Sequence, residues 1–394
     1  MVPRKKTAPA PLKRGLFVHR FLSNILLLGL NWLCRFKKKS NPIPSNPKRI
    51  LLSNIANFGD VVISTTVLPL IKKKYPNCEI GFVTSSASSM VLKNHPLISK
   101  VHTFDHWYLH QCKAALHWWK SRRGILRELK EAQYDVAIDL YAYFPNTIPL
   151  LSASGIPVRI GYPTGGFSNL LTHPIPWDFA HCYAGIAHHH LLKPLGIDPD
   201  PARASPFYGQ KKRGCSYLAV HMGSFHSVKE WEEEKWIALI KKLKADGYEI
   251  VLTGKGARET DRCLRVAQAT GATSLSDKID WFAFATIIQE ARLVISIDSA
   301  AIHLAAAEGT PTIAIFTGIN PLSMWAPPHC SVVVENVPCS PCFKKGGCTG
   351  MGCIRGVTVD RVYLEALQLL RASSRETVLQ KGRDPIEEHD FLKY

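Results

Sequence analysis

Acidic residues are absent from the first fifty-nine positions of this 394-residue chain, and the first of them, Asp60, stands within NIANFGDVVISTTVLP. Over the same stretch twelve Lys and Arg accumulate between Arg4 and Arg49, so most of the net charge of +18 sits there and only +6 is left for the rest. The chain also lacks a clean membrane-spanning run. LFVHRFLSNILLLGLNWLC is broken by His19, Arg20, Ser23, Asn24 and Asn31, and falls short of the roughly 20 apolar residues a spanning helix needs. No small-residue cleavage site follows it, which excludes an ordinary signal peptide. Basic residues do not interleave with aromatics over a folded stretch, so nucleic acid is not an expected partner. A dinucleotide fingerprint is missing too: NIANFGD holds one glycine, too few to seat a pyrophosphate on the following helix.

What is present fits a basic leader over residues 1–47, with an amphipathic helix lying on an anionic membrane surface. The remainder, with 46% apolar and 20% charged residues overall, reads as a folded body of two domains. From residue 49 onward, strands such as RILLSNI, EIGFVTSS, DVAIDLY, YLAVHMG, EIVLTG, LVISID and TIAIFTG alternate with helical patterns. Apolar strands of this kind belong to parallel sheets covered on both faces. PLGIDPDPARASPFYGQKKRG reads as a linker. It sets an N-terminal domain at 48–205 and a C-terminal domain at 206–375, followed by a tail at 376–394. Ligands of such α/β folds sit at the carboxyl ends of strands, where Asp60, His221, Gly254 and Asp298 fall.

In ISIDSAAIHLAAAEG a helix of small residues is expected to begin at Ser299, with the Ser299 and Ala300 amides open to an anion. Asp298 could equally serve only as its N-cap. His303 has no evident task in an alanine-rich helix. Of eleven cysteines, Cys339, Cys342, Cys348 and Cys353 share one glycine-rich loop, CSPCFKKGGCTGMGC. A zinc site and a reduced or reversibly oxidised staple are both compatible with that spacing.

Taken in order, NFGDVVISTTVLPLIKKKYPNCEI, HMGSFHSVKEW, LTGKGARE, ISIDSAAIHLAAAEGTPTIAIFTGINP and the cysteine loop resemble the heptosyltransferases of glycosyltransferase family 9, over about residues 49 to 370. The resemblance implies a GT-B fold, two Rossmann-like doubly wound domains facing across a cleft. It implies inverting, metal-independent transfer of heptose from ADP-heptose to the inner core of bacterial lipopolysaccharide, with no cofactor. Asp60 matches the general base, Lys229 the phosphate-binding lysine and Ser224 the hydroxyl residue ahead of it. Gly254 and Glu259 fall on the nucleotide side, with Glu259 near the ribose, while Asp298, Ser299, Ala300 and His303 form the diphosphate motif. Ala300 departs from the glycine usual there. Lys120, Arg122 and Arg123 are the expected contacts to an anionic lipid-linked acceptor of the Kdo–lipid A type. The expected location is peripheral, on the cytoplasmic face of the inner membrane. A different nucleotide sugar or acceptor, a nucleotide-sugar epimerase and a non-catalytic scaffold remain as alternatives.

Removing residues 1–45 should leave the fold intact and abolish sedimentation with anionic vesicles. Binding of the full chain should weaken with salt, because the attraction is screened beyond about 8–10 Å. Equal sedimentation of the truncated and full chains would contradict the membrane role of the leader.

Overall fold

The computed structural model describes residues 41–106, 115–177, 182–201, 216–344 and 346–381, with side chains from residue 122 in the 115–132 helix and up to 372 in the last one. The membrane helix expected in the leader, the Lys120 side chain, most of the linker and the end of the tail lie outside the described residues. Among the described residues no helix is long and apolar enough to cross a membrane.

In chain order the first elements are β1 (Arg49–Ser53), α1 (Phe58–Ser64), α2 (Val67–Lys74), β2 (Glu79–Thr84), β3 (Lys100–Thr103), α3 (Ala115–Ala132), β4 (Val136–Asp139), α4 (Ile148–Ala153), β5 (Val158–Gly161), β6 (His173–Pro174) and α5 (Ala184–His190). There follow β7 (Leu218–His221), α6 (Glu233–Ala245), β8 (Ile250–Thr253), α7 (Ala257–Thr270), β9 (Thr273–Ser274), α8 (Trp281–Glu290), β10 (Leu293–Ile297), α9 (Ala300–Glu308), β11 (Thr312–Phe316), α10 (Leu322–Trp325), β12 (Ser331–Val334), α11 (Gly352–Arg355) and α12 (Val359–Lys381).

Two parallel six-stranded sheets result, ordered β3-β2-β1-β4-β5-β6 and β12-β11-β10-β7-β8-β9. Each has the doubly wound order 3-2-1-4-5-6 when its own strands are counted in sequence, the α/β class expected from the strand pattern. The chain forms two compact units around them. The first holds the described residues up to Ile55, Asn77–Ser85 and Lys100–Trp177. The second holds Ala56–Pro76, Ser86–Ser99 and the described residues after Trp177. Asp60 and its helix therefore belong to the second unit, although they directly follow β1 of the first.

In the first unit, Leu51, Val83 and Ala137 pack against Ile125 and Leu129 of α3. In the second, Leu218, Val220, Ile295 and Ile313 meet Trp236, Leu239 and Leu243 of α6 and Val362 and Ala366 of α12. Trp231 lies edge-on to Trp236 at 5.1 Å and donates its indole N–H to the Val357 carbonyl at 3.0 Å. That bond satisfies the polar end of a large buried ring.

Gly81, in the middle of β2, faces Tyr134. A Cβ there would lie 2.0 Å from the Tyr134 hydroxyl. This hydroxyl is hydrogen-bonded to His102 Nε2 at 2.8 Å, and burial pushes the phenol up to about 12. Gly81→Ala must move the buried ring and break the pair. We expect a loss of about 1–3 kcal/mol in urea unfolding, the range for overpacking a core.

Candidate active site

β7 and β10 are neighbours in the second sheet, and the connections that leave them run to opposite sides. This is the switch point at which α/β sheets open a crevice for ligands. Beyond β7 the chain passes Ser224 and makes a short 3-10 turn, Ser227–Lys229. Beyond β10 come Asp298 and Ser299. Lys229 Nζ lies 2.6 Å from Asp298 Oδ2, and the two side chains are only 16% and 6% exposed. A charge-assisted bond thus ties the loop after β7 to the end of β10.

The pairing decides how α9 starts. Ser299, not Asp298, is the N-cap: its hydroxyl accepts the Ala301 N–H at 3.3 Å and meets Ser296 Oγ at 3.1 Å. The first helical residue is therefore Ala300, one later than the sequence suggests, because the Asp298 carboxylate is engaged by Lys229. The open amide of Ala300 and the positive end of a nine-residue helix remain beside that lysine.

Asp60 reaches the same place from α1. The helix begins at Phe58 with Asn57 as its N-cap. Asp60 is consequently in the first turn, and its Oδ2 accepts the Asn57 N–H at 3.3 Å. Burial is the main cause that pushes Asp60 up to about 6. The Asn57 amide and Lys229 act in the opposite direction, and Asp298 adds to the rise. Gly59 permits the approach: a Cβ there would lie 3.3 Å from His303 Cδ2 and 3.6 Å from Ala300 Cα. The glycine beside Asp60 makes room for α9.

His303 is buried within the first turns of α9, and burial lowers it to about 4, so the ring is neutral. Its Nδ1 is 3.1 Å from the hydroxyl of Tyr183, the N-cap of α5, with the two rings stacked. On the other side of α1, Phe58 packs on Trp281 of α8 at 5.6 Å.

Glu259 occupies the first turn of α7, where its Oε2 accepts the Lys255 N–H at 2.9 Å. The carboxylate lies flush against the chain after β7. A Cβ on Gly223 would fall 2.1 Å from its Cδ, and one on Gly254 would fall 3.1 Å from its Cβ. His221, the last residue of β7, bonds Thr253 Oγ1 at 3.0 Å. Ser224 is buried, and its carbonyl accepts Arg258 Nη2 at 2.6 Å. Arg258 and Arg262 also converge on the buried Glu230, Arg262 at 2.8 Å. Glu230 and Arg258, which hold the loop carrying Ser224 and Lys229, are missed by motif reading, as is Tyr183. The i, i+4 arginines of α7 were the available signal; Tyr183 gave none. Arg122 and Arg123 lie on α3 of the first unit, half-buried and exposed respectively.

The cysteine loop packs on the strand ends through amide bonds from Cys342 to the Gly318 carbonyl and from Phe343 to the Ile319 carbonyl, at 3.0 and 2.9 Å. Cys339, Cys342, Cys348 and Cys353 are free thiols and line one cavity of about 50 Å³. Among the described residues no three metal-ligating side chains converge on a common position. Gly347 of this loop rests against Val228, where a Cβ would be 3.1 Å from Cγ1, so the loop buttresses the turn bearing Lys229.

Residues 178–350 match the family model described as glycosyltransferase family 9 (heptosyltransferase). Lipopolysaccharide heptosyltransferase 3 of Escherichia coli is 24% identical over 290 residues, spanning 68% of this chain and 83% of that protein. Lipopolysaccharide heptosyltransferase 1 of Pseudomonas aeruginosa is 22% identical over 336 residues, spanning 75% and 86%. Among solved structures, a family 9 glycosyl transferase from Veillonella parvula superposes with a TM-score of 0.70 at 19% identity, covering 84% of this chain and all of that one. E. coli heptosyltransferase WaaC with ADP gives 0.64 at 18% identity, covering 82% and 99%. The fold is therefore GT-B, and the protein is a glycosyltransferase. The family likeness lies in residues 178–350, which match glycosyltransferase family 9, the heptosyltransferase family, and relatives bearing the heptosyltransferase name align over 68–75% of the chain.

Lys229→Met would leave Asp298 covered and without its cation. We expect a loss on the order of 2–3 kcal/mol in chemical denaturation, somewhat below the full cost of orphaning a buried charge because Lys229 keeps some solvent contact. Adding Asp298→Asn should recover most of that loss.

Proposed function

We propose that the protein transfers heptose from ADP-heptose to the inner core of lipopolysaccharide, with inversion at the anomeric carbon and without a metal. The observation that carries this reading is the convergence of Asp60, Lys229 and Asp298 on the open start of α9. Relatives at 22–24% identity are named as lipopolysaccharide heptosyltransferases, and one solved relative was obtained with ADP. The diphosphate would bind at Lys229, Ser224 and the amides at Ser299 and Ala300. There a cation and a helix terminus would face the charge that grows on the leaving group. Gly254 and Glu259 would border the nucleoside.

A sugar hydroxyl becomes a competent nucleophile only as its proton leaves, and a carboxylate at about 3 Å contributes some 10²–10⁴ in rate. Asp60 is suited to that task. Pushed up to about 6, it is mainly ionised at pH 7 yet more basic than an ordinary carboxylate. Lys120, Arg122 and Arg123 would meet the anionic groups of a Kdo–lipid A acceptor, and the basic leader would hold the enzyme at the cytoplasmic face of the membrane bearing it.

Calorimetric titration with ADP, GDP and UDP tests the donor, with ADP expected to bind most tightly. Asp60→Asn should reduce transfer by about 10²–10⁴-fold. ADP affinity should hold or rise slightly, since one negative charge near the diphosphate is removed. In the native enzyme kcat/KM should fall about tenfold per pH unit below pH 6, as Asp60 takes up its proton. The residual rate of Asp60→Asn should lack that limb. Near-native turnover in a folded variant would reduce Asp60 to its role in capping α1.

A further inference from the structure

Tyr183 and His303 are 120 residues apart in sequence, yet they form a buried pair beside the start of α9. The tyrosine hydroxyl is held in its protonated form by burial, with Cys330 and Asp60 adding to the effect. Its proton needs an acceptor, and among the described residues the one hydrogen-bond partner it has is His303 Nδ1 at 3.1 Å. Were Nδ1 to carry the imidazole proton, it would donate to the hydroxyl oxygen and the tyrosine would become the acceptor. A buried hydroxyl proton would then be orphaned, at a cost of about 1–3 kcal/mol. The bond therefore selects the tautomer with the ring proton on Nε2. Ring position is fixed as well, by stacking on Tyr183, by Trp325 at 6.5 Å and by the Gly59 backbone packed against the Cδ2 edge next to Nε2.

We propose that Tyr183 is a positioning residue: by donating to His303 Nδ1 it fixes a neutral imidazole with Nε2–H as a single, oriented donor for an anionic oxygen at the first turn of α9. This rests on the reading that the donor's diphosphate binds there. Such a donor suits a departing diphosphate. It meets charge that develops during the reaction, carries no proton to lose at neutral pH, and needs no reorganisation when the charge appears. Among the described residues Nε2 itself has no hydrogen-bond partner, which leaves it available to a ligand.

The decisive measurement is the ¹⁵N spectrum of the His303 side chain in the full-length protein, assigned with His303→Gln. A single neutral form protonated at Nε2 is expected, with a mixture of tautomers in Tyr183→Phe. In Tyr183→Phe, kcat should fall about three- to tenfold, the equivalent of one neutral hydrogen bond, with the acceptor KM unchanged. In His303→Gln, whose amide supplies an N–H without help from tyrosine, adding Tyr183→Phe should cost no further activity. A proton on Nδ1 in the native protein overturns the proposal even if the variant does not fold. A native tautomer and native kcat in a folded Tyr183→Phe overturn it equally. Failure of ADP to perturb the Nε2 signal while binding elsewhere would instead count against the diphosphate site itself.

Discussion

The contact between Lys229 and Asp298 is the constraint on which the second unit's site depends. It joins the loop after β7 to the end of β10, where the sheet's connections diverge. Both groups give up most of their hydration, a cost offset only because the bond is short and direct. Holding the lysine in one place also means that a flexible side chain is already ordered before an anion arrives, which lowers the entropic cost of binding. The same pairing leaves Ser299, rather than Asp298, to cap α9, so the amide of Ala300 stays open.

A second constraint follows from how closely α1 and α9 approach. α9 has almost no amphipathic pattern because it is covered nearly all round: Ala301, Ile302, His303, Leu304 and Ala305 are all buried. Small side chains at its start let α1 lie against it, and Gly59 supplies the last of the clearance. The carboxylate of Asp60 and the amides of α9 are thus positioned by one rigid helix–helix contact. Ala300 fits because the space above its Cα is left by Gly59.

Much of this was legible in the sequence, and the exceptions have physical causes. Continuous apolar strands such as LVISI and TIAIF announce parallel pairing wherever they occur, since both faces must be covered. The strands β3, β6 and β9 escaped because two to four residues at a sheet edge carry no periodicity. α8 escaped because DWFAFATIIQE is apolar on several faces, so no helical stripe stands out. Asp60, Lys229 and Asp298 could be singled out because each lies in a recognisable local motif, Asp60 and Asp298 just beyond a strand's carboxyl end and Lys229 in the loop that follows β7. Tyr183 and Glu230 were not, because their roles arise from contacts with residues far along the chain, His303 in one case and Arg258 and Arg262 in the other.

The charge balance of the cluster links the two halves of the proposed chemistry. One lysine stands among two carboxylates, and Asp60 is already raised to about 6 mainly by burial, with Asp298 contributing. A diphosphate bound at α9 adds negative charge near Asp60 and would raise it further, making a stronger base of which less is ionised. Lys229 acts against that drift, since its positive charge favours the ionised carboxylate. In the proposed reaction the lysine would have two tasks that a neutral donor could not combine: binding the leaving group, and keeping the base deprotonated while the leaving group is present. His303, neutral and fixed, can add hydrogen bonding at the same helix start without altering that balance. An imidazolium there would attract the diphosphate more strongly, but it would also pull Asp60 back toward an ordinary, weaker carboxylate. Burial of the ring beside a protonated tyrosine favours the neutral form and would so preserve the basicity on which the proposed proton removal depends.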